Sequence, residues 1–150
     1  RPENFAFVLK EVQLIGINKV GGRHHDQDEW AERLDDNARW ITQHLEQSRS
    51  NVRAAVIFAQ ATATGLDGRM LTPLQAAAQA FAKPILYLHA DGHRWFVKRG
   101  EWSPNIVHVQ TDLIDWRFPP VQITVTTHPG EPFVFDRRID KPSWVQGAPD

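Results

Sequence analysis

Three short runs with almost no polar residues set the limits on what this chain can fold into: Val12-Gln-Leu-Ile-Gly-Ile17, Val52 to Ala59, and Ile85-Leu-Tyr-Leu-His89. A strand that alternates apolar and polar residues can leave one face wet, whereas a nearly continuous apolar strand needs cover on both faces. Between the first two runs, Trp30, Leu34, Ala38, Ile41 and Leu45 recur at helical spacing, with Arg33, Asp35, Asp36, Arg39 and Gln43 on the wet face. Asp26 is the expected N-cap of that helix, and Glu29 three residues later completes a capping box. Between the second and third runs, an Ala-rich helix is predicted from Leu74 to Ala82, ended by Pro84, with Thr72 as N-cap and Pro73 at the first helical position. Strand, helix, strand in that order predicts two parallel neighbours. Upstream, Phe5-Ala-Phe-Val-Leu9 pairs with the Val12 run as a β-hairpin turned at Lys10-Glu11. The expected class is α/β, a mixed sheet with two main helices.

The last third changes character. Trp95 to Lys98, Ile106 to Val109, Val121 to Thr126 and Phe133 to Phe135 are short runs between turns containing Pro and Gly, which predicts a C-terminal antiparallel meander. Residues 1–138 form one expected domain and 139–150 a tail. A length of 150 residues with 41% apolar side chains suits a single domain with a real core. The net charge of -1 argues against a nucleic-acid partner. No apolar run approaches the ~20 residues of a membrane span, so no membrane partner is expected. There is no Cys, which excludes disulfides, a thiolate nucleophile and Cys-ligated zinc without fixing a compartment. The first residue is Arg1, so the chain is expected to be a processed or truncated piece.

The polar residues that could do chemistry fall at the ends of the apolar strands. Ile17 leads to His24-His25-Asp26, Phe58 leads to Gln60, and Leu88 leads to His89, Asp91 and His93. In open α/β sheets, sites lie at the carboxyl ends of the strands, so three loops on one rim are expected to converge. His, Asp and Gln can all bind or orient a metal ion. Structural roles compete with each of these. His24-His25-Asp26 reads equally as a solvated start of the helix, Asp28 as a cap, and His89 as a core histidine. His93, on a Gly-containing turn just past a buried strand, is the strongest candidate. His44 reads as solvated, and His108 and His128 have no evident partner. A glycine-rich phosphate loop, a Gly-x-Ser-x-Gly elbow and a His-Glu-x-x-His motif are all absent.

Several segments in this order carry a family resemblance. They are Phe5-Ala-Phe-Val with Gln13-Leu-Ile-Gly-Ile-Asn18, Asp28-Glu-Trp-Ala-Glu-Arg-Leu34, Ala54-Ala-Val-Ile-Phe58, Pro84-Ile-Leu-Tyr-Leu-His-Ala-Asp-Gly-His-Arg-Trp95, and Val121-Gln-Ile-Thr-Val-Thr126 through Phe133-Val-Phe-Asp-Arg-Arg138. Together they resemble the C-terminal half of a bacterial calcineurin-like metallophosphoesterase. The resemblance implies half of an α/β sandwich and a hydrolase of phosphoester bonds in small molecules. It also implies divalent metal ions (zinc, manganese or iron) that activate water. His93 matches the first His of the family's Gly-His-x-His motif. Trp95 stands where the second would be, and Gln60 stands near another ligand His. The family's Asp-x-His, Gly-Asp-x-x-Asp and Gly-Asn-His-Asp motifs are absent, so a standard two-metal centre is not expected within this chain. On this resemblance His93, Asp91 and His89 are the expected catalytic groups. His93, His89 and His25 would hold a single metal, with His24, His25, Gln60 and Trp95 toward the substrate. The alternative is a non-catalytic half-domain acting in binding or assembly. Either way, a lone half would expose an apolar sheet face, which predicts a homodimer with twofold symmetry.

Overall fold

The computed structural model describes residues 2–21, 25–65, 68–112 and 119–138. In chain order the elements are β1 (Phe5–Leu9), β2 (Val12–Gly16), α1 (Gln27–Ser48), β3 (Ala54–Phe58), α2 (Leu71–Phe81), β4 (Ile85–His89), β5 (Phe96–Arg99), β6 (Ile106–Gln110), β7 (Gln122–Val125) and β8 (Phe133–Asp136). The first six strands form one sheet in the order β1-β2-β3-β4-β6-β5, and β7 and β8 form a separate pair. Strands β2, β3, β4 and β6 run parallel, and β1 and β5 close the edges antiparallel. The expected α/β class and the predicted hairpin and parallel pair are all present.

The continuous apolarity of the inner strands is used on both faces. Ile15, Ile57, Tyr87 and Ile106 face the helices and meet Trp30, Leu34, Ile41, Leu45, Leu74 and Phe81. Val12, Val56, Leu86 and Val109 face the other way and meet Phe133, with Ile123, Val125 and Phe135 of the β7–β8 hairpin packed alongside. Each fully buried side chain of this size contributes roughly 1.5–3 kcal/mol relative to exposure. Among the described residues, no helix is long and apolar enough to cross a membrane.

Local details depart from expectation where tertiary structure takes over. Helix α2 begins at Leu71 with Met70 as N-cap, which places Thr72 and Pro73 inside its first turn. Pro is tolerated there because the first four N–H groups of a helix have no intrahelical partner. Its C-cap, Ala82, adopts the left-handed conformation at φ 57°. At α1 the expected cap is present, with the Asp26 carboxylate accepting from the N–H groups of Asp28 and Glu29. His44 is half-buried rather than solvated, its ring edge-on to Trp40 at 4.3 Å, and burial lowers its pKa. The predicted single meander is split. Strand β6 enters the main sheet parallel to β4, and only β7 and β8 pair apart from it. An all-buried β6 has too little polar surface to stand at an exposed edge, and the edge falls to β5.

The β7–β8 hairpin does not cover the whole of its sheet face. The ring of Phe5 lies over Gly16, so close that an added Cβ would sit 2.0 Å from it. Phe5, Phe7 and Leu9 remain 47–55% exposed on β1, with Phe58 36% exposed beside them. The Phe5 ring is 6.0 Å from Phe7 and 6.4 Å from Phe58, so these side chains form a continuous apolar patch.

Candidate functional site

Because β2, β3 and β4 are parallel, the loops that follow them leave the sheet on one rim, and backbone hydrogen bonds tie those loops together. The Lys19 carbonyl accepts from Gln60 N–H at 3.1 Å and Ala61 N–H at 2.9 Å, and the Gln60 carbonyl accepts from Ala90 N–H at 3.1 Å. The Gln60 side chain adds a further tie, its Oε1 accepting from Gly21 N–H at 2.5 Å. Asp91 joins the same point. A Cβ built on Gly21 would lie 3.5 Å from both Asp91 Oδ2 and Gln60 Oε1. Lys19 is buried here with its ammonium 4.9 Å from the centre of the Trp30 ring. Burial lowers its pKa, and the Asp91 charge opposes that shift.

Behind the rim lies a chain of titratable side chains. Asp91 Oδ1 is 2.6 Å from His89 Nδ1, and His89 Nε2 is 2.7 Å from His108 Nε2. His108 Nδ1 is 3.3 Å from Glu101 Oε2, and Glu101 Oε1 accepts from Lys98 Nζ at 2.7 Å. The two imidazoles are almost sealed, with side chains 1% and 6% exposed, while the carboxylates at the ends are 27% and 40% exposed. Aromatic rings wall the pair. Trp102 stacks on His108 at 3.9 Å, and Phe96 meets it edge-on at 4.9 Å. Tyr87, its hydroxyl fixed on the Ala61 carbonyl at 2.8 Å, borders both rings.

This enclosure sets the electrostatics. Burial lowers the His89 pKa against the opposing pull of Asp91, and Lys19 lowers it further. Burial takes His108 down to about 4, with Glu101 opposing and the charges of His89 and Lys98 assisting. At neutral pH both rings are therefore neutral. The Lys98 hydrogen bond is the main reason that the Glu101 carboxyl titrates below the usual range.

The expected site residues separate into two groups. Gln60, His89 and Asp91 are brought together. His93 stands exposed on the following turn, in the left-handed region at φ 54°. The adjacent Gly92 is needed for a different reason, because an added Cβ would lie 2.3 Å from Gln110 Oε1. Gln110 packs there and donates to the Arg94 carbonyl at 2.7 Å, clamping the loop. Trp95 turns to the opposite sheet face, where it packs edge-on to Phe135 at 5.8 Å beneath the Arg137 guanidinium. His25 is exposed at the start of α1, and His24 lies outside the described residues.

Among the described residues, no three His, Asp or Glu side chains are grouped to hold a metal ion. His89 has both ring nitrogens engaged, by Asp91 and His108, and keeps no lone pair for a ligand bond. The described residues thus do not fit the metal centre that the resemblance implies. His108 and Glu101 were missed by sequence reasoning. The available signal was a histidine inside an apolar run, since a buried polar side chain needs a partner. The partner became identifiable only through the β4–β6 register, which sets His108 beside Tyr87. No family model matches the chain, and neither a curated protein nor a solved structure matches it.

Proposed function

We propose that this chain forms part of a phosphoester hydrolase of the metallophosphoesterase type, with Asp91 as the proton-transfer group at its rim. The observation that carries this reading is the meeting of three strand-end loops at one point, where Asp91 Oδ2 and Gln60 Oε1 both approach Gly21. Asp91 Oδ1 is held from behind by His89 at 2.6 Å, which orients the carboxylate and leaves Oδ2 on the rim. A fixed, partly exposed carboxylate can accept a proton from water or a hydroxyl and return it to a leaving group. Lys19 places positive charge beside it in a setting that screens charge poorly, suited to an anionic ester. Gln60, with Oε1 committed to Gly21, keeps its amide N–H groups as donors toward a substrate oxygen. The described residues form no metal centre, so the work assigned here is confined to these side chains.

The test is hydrolysis of bis(p-nitrophenyl) phosphate and p-nitrophenyl phosphate by the purified chain, with manganese or with chelator. Turnover above buffer is expected, and Asp91→Asn should lower it by about 100-fold. Rates equal to buffer under every condition would remove the hydrolase reading.

A second reading, a half-domain acting in assembly, is favoured by the exposed Phe5, Phe7, Leu9 and Phe58. Contiguous apolar surface of this kind marks an interaction face. Twofold pairing of that face would bury it in a homodimer. Sedimentation velocity should then show concentration-dependent dimers that Phe7→Lys abolishes. A wild-type monomer at all concentrations would count against it.

A further inference from the structure

The row of side chains Asp91, His89, His108 and Glu101 holds two carboxylates separated by two sealed imidazoles. The hydrogen-bond directions along it can be counted. The two ring planes are within 22° of parallel, with centres 4.9 Å apart. The centre separation exceeds the 2.7 Å between the Nε2 atoms by about one ring width, which means the nitrogens point at each other. That contact is attractive only with one proton between them. Two would repel, and none would leave facing lone pairs.

With Asp91 ionised, His89 carries its proton on Nδ1 and accepts at Nε2. His108 then donates from Nε2, and its Nδ1 turns a lone pair toward Glu101. That last contact is the longest of the three, at 3.3 Å, as two facing acceptors require. It closes into a hydrogen bond when one more proton arrives.

We infer that His89 and His108 share one proton where the family resemblance would place a metal ligand, and that Asp91, His89, His108 and Glu101 form a proton relay from the surface to the rim. The relay balances. The Glu101 carboxyl O–H gives its proton to His108 Nδ1, the proton on His108 Nε2 passes to His89 Nε2, and that on His89 Nδ1 passes to Asp91 Oδ1. Glu101 ends as a carboxylate, Asp91 as a carboxylic acid, and both rings are neutral in the opposite tautomer. All three contacts are hydrogen bonds before and after the transfer. The groups facing the pair are Asp91 and Lys19 at one end, Glu101 and Lys98 at the other, and the Tyr87 hydroxyl between. Tyr87, fixed on the Ala61 carbonyl, takes no part. The inference goes beyond the hydrolase reading and stands without it, since the relay needs no substrate, only one proton taken up at Glu101.

The experiment is nitrogen-15 NMR of histidine-labelled full chain at neutral pH, with and without zinc and with chelator. A scalar coupling between the two Nε2 nuclei through one far-downfield proton, unchanged by zinc or chelator, is expected. Loss of the coupling with zinc, or independent signals from two rings without coupling, would overturn the shared proton. The surface-exposed Glu101→Gln keeps the fold and the coupling, but should slow solvent exchange of the shared proton by about 10-fold. An unchanged exchange rate would overturn Glu101 as the surface end of the relay. Neither readout depends on turnover, so a protein with no hydrolase activity can still pass or fail.

Discussion

Gly92 shows how one residue can be right for a reason that sequence does not display. The expectation was a turn glycine, yet the left-handed position falls on His93 and Gly92 instead makes room for Gln110. Gly92→Ala should force the buried Gln110 amide away from the Arg94 carbonyl and cost about 1–2 kcal/mol, a buried hydrogen bond left unmade. Urea denaturation measures it, and the double variant with Gln110→Ala supplies the check. Once the obstructing amide is gone, the Gly92→Ala penalty should shrink by most of its value. Equal penalties in both backgrounds would mean that the clamp is not what Gly92 serves. The same scale explains His89. Its place at the end of an apolar strand was legible, and so were its two possible readings. Its partner His108 lies 19 positions away, and only strand order makes them neighbours.

At the scale of elements, the sequence was most legible where a segment's own pattern decides its state. The apolar stripe of α1 and the Asp26 cap are local, and both are present. The parallel pairing of β3 with β4 follows from the short helical crossover. Strand β6 was misplaced because its position depends on which neighbour takes it, and its apolar pattern is equally compatible with a meander. The start of α2 was misread, because packing of Leu74, Ala78 and Phe81 sets its register and overrides the attraction of Thr72 to a capping position, while its end at Ala82 before Pro84 is as expected. The C-terminal end of the same helix is strained. Ala82 holds a left-handed conformation that disfavours any residue with a Cβ. Ala82→Gly should therefore raise stability by about 1 kcal/mol, read as a higher urea midpoint at unchanged slope. No gain would mean that the following Lys83-Pro84 segment, not the cap, sets the cost.

For the whole molecule, the sheet with helices on one face and a short hairpin on the other carries its titratable chain inside the helix-side layer, and that placement links stability to pH. His108 titrates near 4 in the folded protein because burial disfavours its charged form. In the unfolded chain an unperturbed His titrates near ~6.5. Between those values the unfolded state binds more protons than the folded one, so stability rises with pH across the window. The contribution is complete above about pH 6.5 and is lost as pH falls toward 4, amounting to about 3 kcal/mol at most. The His89 shift has the same sign and steepens the slope. Carboxylates elsewhere also titrate in acid, so the measurement is comparative. Unfolding free energies near pH 7.5 and near pH 5 should differ by about 1–2 kcal/mol less in His108→Gln than in wild type. The variant also loses stability at neutral pH, because a buried ring with a satisfied contact is replaced, but that loss is common to both pH values. An identical pH dependence in the two proteins would show that His108 takes up its proton equally readily in the folded and unfolded states, and the burial of a neutral ring would have to be given up as the source of the slope.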